Sequence, residues 1–394
     1  MTEIDVARVR AETPGIVESA HLLACGSALM PAPVVDAVIE HTRLEALQGG
    51  YEAQALRAAE LDAVYDQVAA HLGAERREIA LMENATVAWA HAFYALPFKP
   101  GARILTAEAE YAANYVAFLQ RARREDLKIE VVPSDGSGAL DLEALERMMD
   151  DDVGLIAVTW VPTNGGLVNP AAEIGRIARA HGAPYLLDAC QAVGQMPVDV
   201  AALGCDFLSA TGRKFLRGPR GTGFLYVRGA WLDRLEPAMI DHFGAPWVAR
   251  DAYTLREDAR RFETWENAYA LRAGLGAAIT YAEAIGMEAI ERRVRALADR
   301  CRERLAAVAR VELRDLGAAP SGIVSFTIDD AEPRAVVAEM AASGFAIGAS
   351  IPSSTRIDSE RRGLPAMLRI APHYYNTEDE IDRAVERLGA IARR

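Results

Sequence analysis

Between residues 78 and 227, short apolar runs alternate with amphipathic stretches. The runs at 78–82, 103–107, 128–132, 154–160, 184–188, 205–210 and 222–227 have the length and the apolar composition of β-strands. Helical spacing of apolar residues at 85–96, 111–124, 140–149 and 171–181 places helices between most of them. This alternation predicts an α/β fold, a mostly parallel seven-stranded sheet with helices on both faces.

The flanks carry a different pattern. Residues 1–21 are polar and helical at best, and residues 34–47 have helical spacing that Gly49-Gly50 ends. After about residue 236, helical stretches at 268–284 and 287–308 lead into short strands at 311–314 and 323–328. A helix at 332–342, a strand at 368–371 and a last helix at 377–392 complete the chain. Thr377 reads as the N-cap of that helix, with Glu378 and Asp379 in the first turn, where the helix dipole favours negative charge. The expected organisation is an N-terminal segment (1–21), a large domain (22–255) and a smaller α+β domain (256–394). No internal repeat is visible.

Composition narrows the classes. The chain has 394 residues, 51% hydrophobic and 25% charged, as an ordinary globular protein does. A net charge of −13 argues against a nucleic-acid backbone binder, yet leaves room for one basic pocket. Met1-Thr-Glu-Ile-Asp lacks the basic and apolar regions of a signal peptide, and no apolar stretch reaches membrane-spanning length. The four cysteines (Cys25, Cys190, Cys205, Cys301) form no Cys-x-x-Cys pair, and the seven histidines form no metal-spaced cluster. The expectation is a cytoplasmic protein with reduced thiols and no metal, no membrane and no nucleic-acid partner.

Two residues carry the chemistry. Asp188 ends one apolar run, and Lys214 comes after the next in Thr211-Gly-Arg-Lys214. A lysine and an aspartate at the ends of neighbouring parallel strands suit pyridoxal phosphate. The amine holds the aldehyde as a Schiff base, and the carboxylate keeps the pyridine nitrogen protonated. Ligands of parallel sheets bind beyond the carboxyl ends of the strands. Asn84-Ala85-Thr86 opens a helix at such an end, where free N–H groups suit a phosphate. Thr211 and Arg213 are candidates for the other side of that cup. Arg217 reads as a solvated turn residue, and Cys190 as a small packing residue. Gly218, Gly221 and Gly223 precede a strand rather than following one, so they are no dinucleotide loop.

The stretch from Leu187-Asp-Ala-Cys-Gln191 through Asp199 and Thr211-Gly-Arg-Lys214 to Gly218-Pro-Arg-Gly-Thr-Gly223 resembles the cofactor signature of class V aminotransferases. This fold type I group includes cysteine desulfurases, selenocysteine lyases and isopenicillin N epimerase. The resemblance runs from about Leu22 to the C-terminal helix. It implies Lys214 as the Schiff-base lysine, Asp188 as the pyridinium partner and Gln191 beside the cofactor's phenolic oxygen. It implies Thr211 as a phosphate ligand, Arg213 in place of a usual histidine, and Tyr111 where a histidine commonly stacks on the ring. Thr163 or Asn164 matches the polar residue near the phenolic oxygen, and Arg369 the arginine that grips the substrate α-carboxylate. The family usually forms homodimers, so a homodimer is expected.

Two departures shape the functional expectation. Ala349-Ser-Ile-Pro-Ser-Ser-Thr-Arg356 stands where desulfurases carry a mobile cysteine, and Thr264-Trp-Glu-Asn267 stands where many relatives have a Gly-Thr that reaches the partner's phosphate. Gly49-Gly50-Tyr51, Glu110-Tyr111 and Pro162-Thr-Asn-Gly-Gly166 resemble the branch that holds hercynylcysteine sulfoxide lyases. The expected activity is cleavage of the Cβ–S bond of a cysteine-derived amino acid, giving pyruvate and ammonia. Transamination and epimerisation are the alternatives on the same cofactor. Sulfur donation by a desulfurase route lacks its cysteine, and a binding protein without catalysis is disfavoured by the retained lysine. Residues 49–52 and 351–356 are the candidates for reading the substrate side chain.

Overall fold

The computed structural model describes residues 4–394. Its centre is a seven-stranded sheet. In chain order the strands are β1 (Ile79–Met82), β2 (Arg103–Ala107), β3 (Lys128–Val132), β4 (Val153–Thr159), β5 (Tyr185–Asp188), β6 (Phe207–Thr211) and β7 (Gly223–Val227). Across the sheet they lie β1-β7-β6-β5-β4-β2-β3. The run from β3 to β6 is parallel, and β7 is antiparallel to both β6 and β1. Each of the seven apolar runs in the sequence is one of these strands.

Every residue of β5, β6 and β7 is buried, because helices cover both faces. Successive side chains point to opposite faces. Leu186, Phe207 and Leu225 pack with Trp89 and Phe93 of helix Ala85–Ala95 and with Phe118. Leu187, Leu208 and Phe224 belong to the opposite core, with Val64, Val68, Ile174 and Ile279. Removing one such large side chain costs about 3–5 kcal/mol.

Helix Ala32–Gln48 ends at Gly49, whose φ of +100° suits glycine, as the sequence indicates. The chain does not stop being helical there. Helices Gly50–Leu56 and Ala58–Leu72 come next, the second burying Leu61, Val64, Tyr65, Val68 and Leu72 on one face.

The smaller unit holds β8 (Val311–Leu313), β9 (Val324–Ile328), β10 (Gly348–Ser350) and β11 (Met367–Ile370), an antiparallel sheet in the order β8-β9-β11-β10. Its core is closed by Leu297, Cys301 and Leu305, by Val336 and Met340, and by Ile381, Val385 and Leu388 of helix Glu378–Ala392. Thr377 caps that last helix in a capping box with Glu380. Helix Met287–Ala306 joins the two units: Met287, Ile290 and Val294 lie in the large core, Leu297, Cys301 and Leu305 in the small one. Helix Tyr269–Ile285 packs on helices Ala32–Gln48 and Ala58–Leu72 of the large unit. The N-terminal segment crosses to the small unit, where Ala20–His21 pairs parallel with Phe345–Ala346 and Leu23 bridges Ala371. Among the described residues no helix is long and apolar enough to cross a membrane.

Candidate active site

Asp188 is the last residue of β5, and Ser209 of β6 is its register partner. Lys214 lies three residues past the end of β6 (214 − 211), and Arg217 N donates to its carbonyl at 2.9 Å. The sheet therefore delivers both groups to one edge, beyond the carboxyl ends of parallel strands. Cys190 feels both charges. Burial pushes its thiol up, the Lys214 charge pulls it down, and the Asp188 charge pushes it up.

The Asp188 carboxylate is buried and oriented at both oxygens. Oδ1 accepts from Cys190 N at 2.9 Å, and Oδ2 accepts from Asn114 Nδ2 at 2.9 Å. Each oxygen keeps lone pairs for one further donor. Asn114 Nδ2 also donates to Glu110 Oε1 at 2.9 Å. Glu110 is buried and accepts from Thr106 Oγ1, Thr159 N, Thr159 Oγ1 and Tyr111 N as well. Burial pushes the Glu110 carboxyl up to about 7; hydrogen bonds from Thr159 and Asn114 oppose this, and the Asp188 charge adds to it. Tyr111 is the N-cap of helix Ala112–Arg124, 37% exposed, so its ring has an open side.

One end of the candidate site lies at the start of helix Ala85–Ala95. Asn84 caps it by accepting from Val87 N at 3.0 Å. The amides of Ala85 and Thr86 have no protein acceptor among the described residues. This helix start sits against β7. A Cβ on Gly223 would come within 2.8 Å of the Asn84 backbone and 2.7 Å of Ala210 O. Thr211 is buried, and its hydroxyl donates to Thr222 O at 3.1 Å. Arg213 donates to Gly26 O, so part of its guanidinium holds the segment that leads in from the N-terminus.

The opposite end is a chain of side chains. Gln191 Nε2 donates to Cys25 O at 3.1 Å and to Thr163 Oγ1 at 3.4 Å. Arg369 Nη1 donates to both Thr163 O and Thr163 Oγ1 at 2.7 Å, linking β11 of the small unit to the large one. Asn164 points elsewhere. Its Nδ2 donates to Thr355 Oγ1 at 2.7 Å, and its Oδ1 accepts from Ser350 Oγ. Hydrogen bonds thus link Gln191, Thr163 and Arg369, Asp188 lies three residues before Gln191, and the side chain of Asn164 is engaged instead by Ser350 and Thr355.

The segment that stands in for the desulfurase cysteine loop is folded. It runs from β10 through the 3-10 turn Pro352–Thr355 into helix Arg356–Arg362, pinned by Asn164 at Ser350 and Thr355. Cys25, Cys205 and Cys301 are buried, and burial pushes the Cys301 thiol up to about 12 and that of Cys205 higher still.

Arg217 departs from its expected place at the surface. It is 1% exposed rather than solvated, with φ +62°. Its guanidinium donates to Leu29 O at 2.7 Å and Thr13 Oγ1 at 2.6 Å, and lies 4.7 Å from the Tyr375 ring and 5.0 Å from that of Tyr374. It binds the lysine loop to the N-terminal segment. Asn114 is a further candidate residue that the sequence alone does not single out, and Glu110 enters there only within the Glu110-Tyr111 pair. Asn114 lies in the first turn of helix Ala112–Arg124 and Glu110 just before its N-cap, so no helical period marks the pair.

These residues fit pyridoxal phosphate. Asp188 has a free acceptor position, the Ala85 and Thr86 amides are unused, and Gln191 Oε1 is a buried polar atom with no partner among the described residues. Known proteins agree. The sequence profile described as Aminotransferase class-V matches residues 20–384. A probable cysteine desulfurase of Methanothermobacter thermautotrophicus is 30% identical over 392 residues, covering 98% of this chain and 97% of that protein. The apo structure of a cysteine desulfurase from Thermococcus onnurineus superposes with a TM-score of 0.93 at 28% identity, covering 100% of this chain and 99% of the other. The cystine C–S lyase C-DES, in complex with its product cysteine persulfide, has the same fold, with a TM-score of 0.87 at 22% identity and 96% and 99% coverage. The match over nearly the whole chain makes this protein a member of the class V aminotransferase family of fold type I pyridoxal phosphate enzymes.

Proposed function

We propose that the protein is a lyase that breaks the Cβ–S bond of a cysteine-derived amino acid, with an S-substituted cysteine sulfoxide as the substrate class. The observation that carries this reading is the pinned segment 349–356. It contains no cysteine, and Asn164 holds it at Ser350 and Thr355. A desulfurase needs a thiolate brought to the substrate sulfur. Here the sulfur must leave by itself, which a sulfenate does more readily than a thiolate.

Bound pyridoxal phosphate supplies an electron-withdrawing ring that stabilises negative charge at a substrate α-carbon. Lys214 is the residue to hold its aldehyde, Asp188 its ring nitrogen and Gln191 its phenolic oxygen. Thr211, Arg213 and the Ala85 and Thr86 amides are the candidates for its phosphate, and Tyr111 for its ring face. Arg369 pairs with the substrate carboxylate, and Thr163 holds Arg369 in place at 2.7 Å. The Lys214 amine takes the α-proton. The Cα–H and Cβ–S bonds break, water replaces the amino group, and pyruvate, ammonia and a sulfenic acid result.

Exposed Leu47, Tyr51, Leu56, Trp247 and Trp265 support a homodimer in which a second copy covers them; Tyr51 and Trp265 line one hollow. Four free cysteines support a reducing, cytoplasmic setting. The test is to incubate the holoenzyme with S-substituted cysteine sulfoxides and measure pyruvate and ammonia together. Equal amounts of both are expected. Alanine, a keto acid without ammonia, or an inverted amino acid would replace this reading with desulfuration, transamination or epimerisation.

A further inference from the structure

Glu110 is a buried carboxyl group that the proposed reaction leaves without a task. It stands one amide group away from Asp188. Its donors come from separate elements: Thr106 from β2, the Thr159 amide and hydroxyl from the end of β4, and Tyr111 N and Asn114 from the start of helix Ala112–Arg124. β5 joins them through Asn114. An asparagine amide nitrogen carries two hydrogens, and here each carboxylate receives from that one nitrogen at 2.9 Å. Glu110 therefore fixes the rotation of the Asn114 amide, and the amide fixes Asp188 Oδ2. Cys190 N fixes Oδ1 at 2.9 Å. With both oxygens held, the plane of the Asp188 carboxylate is set, and so is the direction of its remaining lone pairs.

A purely structural task would need less. Sheet hydrogen bonds already join β2 to β4 and β4 to β5. A second buried carboxylate beside Asp188 is electrostatically costly, because like charges in low dielectric repel. Glu110 is nonetheless placed where only an amide separates the two.

We propose that Glu110 is a positioning residue for the cofactor: through the Asn114 amide it sets the plane of the Asp188 carboxylate and aligns it with the pyridine nitrogen. This rests on pyridoxal phosphate as the cofactor and not on the sulfur chemistry. The burial that pushes the Glu110 carboxyl up to about 7 fits a group held by hydrogen bonds rather than by a cation.

The test uses the holoenzyme, its visible absorption spectrum and its dissociation constant for pyridoxal phosphate. Glu110→Gln and Asn114→Ala are each expected to change the spectrum of the bound cofactor. Each is also expected to weaken its binding about tenfold, the usual size for a group that orients a ligand. The double variant is expected to be no worse than Asn114→Ala alone, because Glu110 acts through that amide. Glu110→Gln that lowers Tm but leaves spectrum and affinity within about twofold of the parent overturns the proposal, as do multiplicative effects in the double variant. Asn114→Ala leaves the other Glu110 donors in place. If Glu110→Gln does not fold, a parent-like spectrum and affinity in Asn114→Ala overturn the proposal alone. A parent protein that binds no pyridoxal phosphate would instead overturn the cofactor assignment, and a failed pyruvate assay only the lyase reading.

Discussion

The proposed cofactor side and the proposed substrate side of this site are built differently. Asp188 ends a strand of the large sheet, and Glu110 and Asn114 lie at the start of helix Ala112–Arg124, all buried, with donors and acceptors matched across several elements. Arg369 and the segment 349–356 come from the small unit and are tied to the large one by Thr163 and Asn164. Strand ends give a fixed frame for a ring that every family member must hold. Side-chain ties between two units give a wall that can differ in shape without disturbing that frame. On the proposed reading, the absence of a cysteine from segment 349–356 changes the chemistry and leaves the first side intact.

Substitutions should separate the two sides. The largest effect is expected on the cofactor side: Lys214→Ala should lower turnover about a thousandfold or more, read as pyruvate release, with loss of borohydride-trapped cofactor at that residue. Asp188→Asn keeps the shape and removes the charge, and should lower turnover about a hundredfold while changing the cofactor spectrum. On the substrate side, Arg369→Lys should raise KM about tenfold, because lysine cannot make the bidentate pair, with the cofactor spectrum unchanged. Asn164→Ala frees Ser350 and Thr355 and should cost about 1–3 kcal/mol of stability, read by denaturant unfolding, again with an unchanged spectrum. A spectral change in either of these last two would erase the distinction between the sides.

Glu110 gives the most specific effect, because it depends on pH. Burial pushes its folded carboxyl up from the ordinary 4.5 to about 7. A raised carboxyl favours the folded state below the ordinary value, and that advantage is lost as pH rises through the folded one. Between pH 4.5 and 7 the parent should therefore lose stability relative to Glu110→Gln, by up to about 3 kcal/mol. Denaturant unfolding of both proteins across that window reads it directly.

The sheet was legible because strands buried on both faces leave unbroken apolar runs. The places of Asp188 and Lys214 at the carboxyl ends of strands were legible because each comes at or just after the end of such a run. Helix Ala58–Leu72 carries a readable stripe at Leu61, Val64, Val68 and Leu72, yet Gly49-Gly50 reads as a stop and masks the two helices beyond it. The pairing of Ala20–His21 with Phe345–Ala346 leaves no pattern, since two-residue strands have no period to detect. Arg217 reads as a surface turn because only the assembled fold brings Tyr374, Tyr375 and Thr13 around it. Thr163 and Asn164 are adjacent polar residues that sequence cannot tell apart. The structure turns Thr163 towards Arg369 and Asn164 towards Ser350.

The central claim is that sulfur leaves the substrate without a protein thiol to receive it. The most direct measurement treats the holoenzyme with iodoacetamide and then monitors pyruvate, ammonia and alanine from an S-substituted cysteine sulfoxide and from free cysteine. Pyruvate and ammonia are expected in equal amounts from the sulfoxide, undiminished by alkylation. Alanine from free cysteine, with persulfide on the protein that alkylation abolishes, would contradict it.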